Sequence, residues 1–417
     1  MSSSEENSES SGPSLWRHRD FMLLWSGQTV SEVGSAVTGI ALPLLAVLTL
    51  KASIFEVSLL TTLGMLPFLL ITLPAGAWVD RWIKRHVMLW SDAGRFVLIG
   101  SIPIAHFFGV LTLGQLYVVV FLSGVLTVFF DVAYQSYLPL LIESHQLIDG
   151  NGKIGASQSF GQFSGPSLGG LLVTLLGAAY AVAVDAVSFL VSTVATFFIS
   201  HREPPQVKRE DRRLRSEIAE GLGFVNGQPI LRKIVACTAT SNFGSGMEAA
   251  VIIYFVVHTL HLGAGFVGIF FTVGALGGFL GALLAGRIGR IVGFARIIWV
   301  SVLVGSPFAF MIALAQPGWM SIFVIVGFFA ASATAVVYNV AQVSYRQRIC
   351  PPELLGRMNA SVRFVVWGAT PLGALVGGAI GTATGARGVL YLAAFIASCS
   401  CLWVIFSPLF AMKDLPD

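Results

Sequence analysis

The chain has 417 residues, of which 55% are hydrophobic and only 11% are charged, and its formal net charge is +4. Soluble domains carry about 25% charged residues, so this composition excludes a soluble globular protein and indicates a polytopic membrane protein. The small positive balance does not predict nucleic-acid binding, because the cations lie in short stretches beside apolar segments, where they orient a membrane protein.

Apolar segments long enough to cross a bilayer recur along the whole chain. A spanning helix needs about 20 mostly apolar residues, and charged or turn-forming residues separate the segments. We therefore predict an all-α membrane protein with twelve transmembrane helices, near residues 21–47, 55–79, 87–108, 114–138, 153–176, 179–200, 233–258, 265–287, 295–315, 319–343, 358–382 and 388–410.

The Lys and Arg residues are distributed unevenly between the two sets of loops. The loops on the side of the N-terminal tail hold 21 of the 25 cations, whereas the opposite loops hold only Lys51 and Arg387. Cationic loops remain on the cytoplasmic side of a membrane. We therefore expect a multi-pass protein of the inner (plasma) membrane with both termini in the cytoplasm.

One long hydrophilic stretch, residues 201–232, divides the apolar segments six and six. Its Pro204-Pro205 pair and its dense charge exclude a span. We predict a cytoplasmic tail at 1–20, a six-helix bundle at 21–200, a cytoplasmic linker at 201–232, a second six-helix bundle at 233–410 and a cytoplasmic tail at 411–417.

An internal repeat supports this division into two bundles. A shift of 210 residues matches Ser31, Gly34 and Ser35 to Ser241, Gly244 and Ser245. A shift of 208 residues matches the glycines of residues 165–177 to those of residues 373–385. A nearly constant offset predicts two parallel repeats of six spans.

A charged stretch follows the second apolar segment and reads Gly76-Ala77-Trp78-Val79-Asp80-Arg81-Trp82-Ile83-Lys84-Arg85. Ionic side chains cannot lie among lipid tails, so we predict that the whole decapeptide is a tight aqueous loop. Gly76 would permit close approach of a helix, and Asp80 would cap the following backbone amides. The cations Arg81, Lys84 and Arg85 would bind acidic side chains or lipid head groups. The alternative is a simple positive-inside anchor.

The fifth apolar segment contains the glycine-rich run Gly161-Gln162-Phe163-Ser164-Gly165-Pro166-Ser167-Leu168-Gly169-Gly170. Gly161 and Gly165 would open a groove for a neighbouring helix, while Pro166 would free a carbonyl group and bend the span. Gly169 and Gly170 complete the pattern. The alternative is a packing seam that has no bearing on the direction of transport.

These two patterns resemble known signatures. The pattern G-x-x-x-D-R-x-x-K-R resembles the cytoplasmic signature loop of the major facilitator superfamily, and G-x-x-x-G-P-x-x-G-G is similar to the motif of its drug-exporting antiporters. The chain most resembles the macrolide-efflux, drug:proton antiporter type, which also includes siderophore exporters. The resemblance implies two six-helix bundles around a central cavity. One departure is that Asp80 aligns with Arg290, so the second signature loop is degenerate.

Acidic residues inside the predicted spans are the candidates for function, because a charge near the bilayer centre costs several kcal/mol unless it is neutralised or faces water. Glu32 falls near mid-membrane, one turn from Gln28, and we expect it to exchange protons. Asp131, Glu248 and Asp185 are further candidates for proton coupling or substrate binding. For each acid the alternative is a hydrogen bond between helices, or within one helix for Asp185.

Two arginines also fall within predicted spans. Asp92 and Arg95 stand at i and i+3, so we predict a structural pair on one helix face. Arg363 would meet Asp80 when the inner side is closed, because related transporters are thought to use such a contact as a latch.

No spacing typical of a catalytic, metal or nucleotide site is present, since the sequence contains neither H-E-x-x-H nor a phosphate-binding glycine loop. We predict no cofactor, no metal and no enzymatic activity. The expected function is export of lipophilic or amphiphilic drugs or secondary metabolites by proton antiport. The expected partners are a small-molecule substrate, protons and membrane lipid, and we expect a monomer.

Two other functions remain open from the sequence. A siderophore exporter or lysophospholipid carrier of the same fold would use Arg95 and Arg363 to bind an anionic head group. A non-transporting membrane sensor or a membrane enzyme is a possibility of a different class.

Overall fold

The computed structural model describes residues 15–79, 81–201, 203, 222–351 and 354–412, and every regular element in these ranges is helical. Helices suit a bilayer because they satisfy their backbone hydrogen bonds internally. The helices are α1 (Arg19–Leu44), α2 (Ile54–Leu70), α3 (Thr72–Val79), α4 (Lys84–Phe107), α5 (Leu113–Leu141), α6 (Leu147–Leu176), α7 (Ala178–Phe197), α8 (222–227), α9 (Pro229–Tyr254), α10 (Ala264–Val292), α11 (Arg296–Leu314), α12 (Ile322–Ile349), α13 (Leu355–Cys399) and α14 (Cys401–Ile405).

Eight helices in the described part of the chain are long and apolar enough to cross a membrane. The second predicted span is divided at Ile71 into α2 and α3, so neither piece alone reaches spanning length. α13 contains Gly385, whose φ of 71° is not helical, so two helices meet there in one continuous element. The total of twelve spans therefore stays a prediction.

The helices before residue 200 pack mainly on one another, and so do the helices after residue 222. In the first group α1 packs against α6 and α7, and α4 packs against α5 and α7. In the second group α9 packs against α13, and α12 packs against α10 and α11. The two groups, called here the first half and the second half, meet mainly where α6 contacts α10 and where α2 contacts α13. The domain bounds given above stay a prediction.

The repeat offset of 210 residues reappears in the backbone. α1 ends in a π-helical turn, Leu45–Thr49, and α9 ends in a π-helical turn, Phe255–Thr259. Lys51 and His261 follow these turns with φ angles of 55° and 56°, a left-handed conformation that few residues other than glycine adopt. Such an unusual turn at equivalent positions shows that both halves end their first long helix in the same way.

The space between the halves is closed on one side only. We name the side where α1 begins the terminal face and the side where α1 ends the far face. Near the far face a single cluster of buried apolar side chains runs from Leu44 in the first half to Phe255 in the second. Near the terminal face the described residues form separate clusters, one around Phe21 and others around Ile298 and Met358. Among the described residues, the two halves are therefore joined by a continuous apolar core at the far face and have separate cores at the terminal face.

The charged decapeptide is not entirely a loop, and in this respect our prediction was wrong. α3 remains helical to Val79 and α4 begins at Lys84, so the connection is only four residues long. Gly76 also differs from the prediction, because nothing lies within 4 Å of the position its Cβ would take. No helix in the described part of the chain approaches Gly76 closely. Asp80 lies outside the described residues.

Candidate functional site

Glu32 lies in the middle of α1 and is half-buried. Gln28, one turn earlier on the same face, donates a hydrogen bond from Nε2 to Oε1 of Glu32 over 3.0 Å. The side-chain oxygen of Gln28 is buried and has no hydrogen-bond partner in the described part of the chain. The amide therefore orients the carboxyl group of Glu32 without neutralising its charge.

The glycines of α6 bring that helix against the turn of α1 that carries Glu32. A Cβ at Gly161 would lie 3.3 Å from the Cβ of Glu32, and a Cβ at Gly165 would collide with the side chain of Ala36. Gly169, one turn later on α6, also lies close to α1, because a Cβ there would be 3.2 Å from the carbonyl oxygen of Val37. Small residues at one face allow such close helix packing. The glycine pattern thus positions the helix that bears the principal acid.

Gly170 and Pro166 lie on the side of α6 that meets the second half. A Cβ at Gly170 would lie 2.7 Å from the carbonyl oxygen of Ala264 and 2.9 Å from the Cα of Gly268. A Cβ at Gly268 would lie 2.6 Å from the carbonyl oxygen of Pro166. α6 therefore contacts α1 with one set of glycines and α10 with another.

Asp185 is buried where α7 meets α1. Its carboxylate accepts a hydrogen bond from Ser188 over 3.1 Å, and Ser35 on α1 lies at 3.5 Å. A Cβ at Gly34 would lie only 2.7 Å from Oδ1 of Asp185, so the absence of a side chain at Gly34 makes room for the carboxyl group. Asp185 therefore has a local partner on α7 and a second partner on α1.

Arg95 lies at the centre of the first half and is 4% exposed. It forms an ion pair with Asp92, one turn earlier on α4, and its Nη1 donates to Thr127 on α5 over 3.4 Å. The guanidinium carbon lies 4.6 Å and 4.3 Å from the ring centroids of Phe130 and Phe189, so the cation is held between two aromatic rings.

Asp92 is also held by α7, since Ser192 donates a hydrogen bond of 2.6 Å to its second carboxylate oxygen. A buried ion pair is tolerated only when further hydrogen bonds satisfy its remaining atoms. The contacts of Asp92 and Arg95 therefore join α4, α5 and α7 into one polar centre.

The charge of Arg95 acts on more than one acid. Besides its ion pair with Asp92, it lies close enough to interact electrostatically with the carboxyl groups of Glu32, Asp131 and Asp185. Glu32 and Asp131 also interact with each other. Asp92 therefore contacts the guanidinium group directly, and three further carboxyl groups from three other helices lie within its electrostatic reach.

A cavity of about 320 Å³ opens beside this polar centre. α1, α2, α4, α5 and α7 form its wall, which is mainly apolar and includes Leu42, Met65 and Phe68. Its polar members are Ser35, Thr38, Thr61, Arg95, Ser123, Thr127 and Asp185. An apolar cleft with a few convergent polar groups is typical of a small-molecule site.

Asp131 and Glu248 are half-buried and lie in different halves. Neither carboxyl group has a hydrogen-bond partner among the described residues. Glu248 on α9 also has no charged group near it in the same part of the chain, and by the repeat it corresponds to Thr38 in the cavity wall. Asp131 therefore lies close enough to Glu32 for their charges to interact, whereas Glu248 lies in the second half, away from that cluster.

Lys84 and Arg85 of the charged decapeptide bind protein groups at the end of α7 and just after it. Arg85 donates to the carbonyl oxygens of Thr196 and Phe197 at the end of α7, over 3.2 Å and 2.6 Å. The carboxylate of Glu203 accepts from the backbone amides of Lys84 and Arg85 over 2.9 Å and 2.7 Å. An acid at the start of a helix is stabilising, so Glu203 caps α4.

Arg363 is exposed, and its guanidinium carbon lies 5.4 Å from the ring centroid of Trp367. Its predicted contact with Asp80 involves a residue outside the described ranges. In the described part of the chain, no group of three or more His, Cys, Asp or Glu side chains is arranged to hold a metal ion.

The sequence analysis did not identify Ser192, Thr127, Glu203 or the two rings around Arg95. One signal was available, because Asp185, Ser188 and Ser192 follow the i, i+3, i+7 spacing of a single helix face. The other contacts come from helices far apart in the sequence.

Comparison with known proteins identifies the family. The family model of the Major Facilitator Superfamily matches residues 24–368. The chain is 29% identical over 380 residues to the multidrug efflux pump Tap of Mycolicibacterium fortuitum, covering 87% of this chain and 90% of the relative. It is 25% identical over 209 residues to macrolide efflux protein A of Streptococcus pyogenes, covering 49% of this chain and 51% of the relative.

A solved structure supports the fold at low sequence identity. A bacterial homologue of the iron transporter ferroportin, in its inward-facing state, superposes with a TM-score of 0.74 at 16% identity and covers 93% of this chain and 98% of its own. The resemblance inferred from the sequence is confirmed, as is the prediction that the chain is not an enzyme. The chain is a membrane-spanning transporter of small molecules that belongs to the Major Facilitator Superfamily.

Proposed function

We propose that this transporter exports lipophilic or amphiphilic drugs or secondary metabolites in exchange for protons. The observation that carries the proposal is that Arg95, already paired with Asp92, lies within electrostatic reach of three further carboxyl groups, those of Glu32, Asp131 and Asp185, beside an apolar cavity. The similarity to the multidrug efflux pump Tap and to macrolide efflux protein A supports export of drugs.

The count of charges supports proton exchange. The positive charge of one guanidinium group balances the negative charge of one carboxylate, and Arg95 already balances Asp92. Further negative charges within a membrane are costly, so binding of protons by Glu32 and Asp131 stabilises the cluster. Glu32 is the first proton acceptor in this proposal, because it is half-buried and its hydrogen-bond partner among the described residues is the neutral amide of Gln28. Asp131 and Glu248 assist it, and Asp185 remains a further candidate.

Alternating access provides the transport cycle. In the open conformation described above, the substrate enters the cavity from the terminal face, where the separate apolar clusters leave the halves apart. Rocking of the halves then closes the terminal face and opens the far face, where arriving protons displace the substrate. A contact between Asp80 and Arg363 would hold the terminal face closed.

The orientation follows from the distribution of cations. The terminal face carries nearly all of the loop Lys and Arg residues, so we place it in the cytoplasm and the protein in the inner (plasma) membrane. We propose that the protein works as a monomer in contact with membrane lipid, since each chain has its own cavity.

Transport into proteoliposomes tests the proposal most directly. An imposed pH gradient should drive the unaltered chain to concentrate ethidium or a macrolide, and a protonophore should abolish the effect. Glu32→Gln should lose the response to the gradient while still binding substrate. Glu143→Gln, which changes an exposed acid outside the polar centre, is the matched control and should transport normally.

Accumulation of ethidium by Glu32→Gln at the normal rate in response to the gradient would contradict the role of Glu32. Failure of the unaltered chain to move either compound would contradict drug export itself. Efflux-deficient cells expressing the protein, with and without a protonophore, provide the corresponding measurement in vivo.

The siderophore or lysophospholipid alternative has one supporting observation. Arg346 and Arg363 lie close enough to repel each other, which suits an anionic head group in the second half. Arg95 supports it less well, because its charge is already paired with Asp92. Uptake of headgroup-labelled lysolipid that depends on Arg363 but not on Glu32 would favour this alternative.

A further inference from the structure

We propose that a cleft beside the first turns of α4 is a binding site for one anionic phospholipid, whose phosphate group contacts the cationic rim of the cleft and whose acyl chain lies along its aromatic wall. The site lies outside the polar centre around Arg95. The proposal depends neither on drug export nor on proton exchange.

The cleft lies between the first turns of α4, the middle of α5 and the short connection that precedes α4. The connection contributes Arg81 and Trp82, α4 contributes His86 and Trp90, and α5 contributes Phe129. Its volume of about 610 Å³ equals that of about twenty water molecules in the liquid. The cleft therefore has room for an acyl chain and far exceeds the size of a free phosphate ion.

The cleft opens toward lipid. Trp90, Val97 and Ile104 follow one another at intervals of seven residues, so they lie on one face of α4. Each of the three is at least 60% exposed, and α4 packs against α5 and α7. Apolar side chains exposed along a whole membrane-spanning helix contact lipid tails. Because Trp90 belongs both to this stripe and to the cleft, the cleft is continuous with the lipid-facing surface.

The depth of the cleft matches the boundary between head groups and tails. α4 begins at Lys84, and Trp90 lies about 9 Å further along the helix at the usual rise per residue. Trp rings concentrate at this level of a bilayer. The rings of Trp78, Trp82 and Phe129 also stack on one another, with centroid separations of 5.9, 6.0 and 6.5 Å. These rings provide a firm apolar wall for a lipid chain.

Charge selects an anionic head group. Arg81 carries a permanent positive charge and His86 offers ring nitrogen atoms, and both residues are exposed where they line the cleft. No Asp or Glu is among the described residues that line it. By contrast, Lys84 pairs with Glu203 over 4.0 Å, and Arg85 donates to the end of α7. A cationic rim attracts the phosphate of an anionic lipid and repels the ammonium group of a zwitterionic one.

Native mass spectrometry of the purified chain, released from detergent micelles, tests the proposal. Phosphatidylglycerol is the anionic probe, and phosphatidylcholine with the same acyl chains is the zwitterionic probe. The unaltered chain should bind one phosphatidylglycerol at least fivefold more tightly than phosphatidylcholine. Arg81→Gln should weaken phosphatidylglycerol binding about fivefold, the usual effect of one cation near a head group. Arg290→Gln, which removes an exposed cation at the end of α10, is the matched control and should leave binding unchanged.

A second variant tests the aromatic wall. Trp90 is exposed, so Trp90→Ala shortens the wall without creating a cavity in the protein core. It should weaken binding of both lipids about fivefold, because the ring no longer covers the acyl chain, and it should keep the preference for phosphatidylglycerol. Trp319→Ala removes an equally exposed ring just before α12 and should change neither affinity.

Four results would overturn the proposal. The first is equal binding of the two lipids by the unaltered chain. The second is an effect of Arg81→Gln that is absent or no larger than that of Arg290→Gln, since the attraction would then come from the whole basic face. The third is unchanged binding in Trp90→Ala. The fourth is displacement of bound phosphatidylglycerol by inorganic phosphate, which would indicate a site for free anions.

The binding measurement uses neither a transported drug nor a pH gradient. Failure of drug export or of proton coupling would therefore leave these lipid affinities unaffected, and loss of the lipid site would leave the proposed transport function standing.

Discussion

Ser167 on α6 and Thr272 on α10 share a hydrogen bond whose two oxygens lie 2.7 Å apart. Thr272 also donates to the carbonyl oxygen of Phe163 over 3.3 Å. These bonds cross between the two halves, beside the contact of Gly170 with Gly268. This seam must separate whenever the far face opens, so its strength sets the balance between the two conformations.

Gly170→Ala should weaken the seam and favour opening of the far face. The new Cβ would overlap the backbone of α10, and overpacking of this kind costs about 1–3 kcal/mol, which corresponds to about a 5- to 150-fold shift in population. A cysteine at Thr272 should then react faster with a membrane-impermeant maleimide added outside the cell. Gly265→Ala is the control, because its nearest neighbour is Thr174 Oγ1 at an ordinary 3.7 Å. Equal labelling rates in both variants would show that the seam does not limit opening.

Gly165→Ala should destabilise the protein because the added methyl group collides with Ala36. We expect a loss of about 1–3 kcal/mol, visible as a lower melting temperature in detergent. The double variant Gly165→Ala/Ala36→Gly exchanges the two side chains across the same contact and should recover most of the loss. Gly155→Ala, on the same helix with no neighbour within 4 Å, should have little effect. Absence of recovery in the double variant would mean that the loss arises elsewhere.

Asp92→Asn should be strongly destabilising, because it leaves the buried charge of Arg95 without its ion-pair partner. Breaking a buried pair from one side costs about 3–5 kcal/mol, whereas replacing both members is much less harmful. The double variant Asp92→Asn/Arg95→Met should therefore melt at a higher temperature than Asp92→Asn alone.

The control for this ion pair is Asp149→Asn, whose pair with Lys153 is partly exposed and should contribute less than about 1 kcal/mol. A double variant less stable than the single variant would contradict the pairing argument.

Glu203→Ala should loosen the first turn of α4. The carboxylate of Glu203 accepts from the amides of Lys84 and Arg85, and loss of a helix cap costs about 1–2 kcal/mol. Hydrogen exchange of those two amides should accelerate about 5- to 30-fold, while the rest of α4 stays protected. Glu143→Ala, which removes an exposed acid near the start of α6, should not change exchange in α4. Unchanged exchange at Lys84 and Arg85 in Glu203→Ala would rule out the cap.

Contacts within one helix were the part of the site that the sequence predicted best. Asp92 with Arg95, Gln28 with Glu32 and Asp185 with Ser188 are all three or four residues apart, and each pair is in contact. Helical geometry fixes these neighbours once the helix is recognised. Contacts between helices could not be predicted in this way, and Ser192 with Asp92 is the clearest case.

The charged decapeptide shows how far residue type alone predicts the structure at the ends of helices. Its charges correctly indicated a turn between two apolar segments, and the predicted span 55–79 ends where α3 ends, but the assignment of the whole decapeptide to a loop was wrong. Arg85 was expected to bind acids or lipid, whereas it binds the carbonyl oxygens that end α7. A cation can also hydrogen-bond the free carbonyl groups at a helix end, so residue type alone does not select the partner.

The sequence by itself determined that this protein is a helical membrane transporter, because a bilayer forces backbone hydrogen bonds into helices and charges to their ends. It also determined the repeat, which the paired turns at Lys51 and His261 reproduce. Only the tertiary structure decided which of the 45 glycines bring helices together, which acids lie near Arg95, and that the apolar core joins the two halves at the far face. Small and apolar residues pack almost equally well against many partners. Which helices contact each other therefore depends on the packing of all the helices together and cannot be read from one segment of sequence.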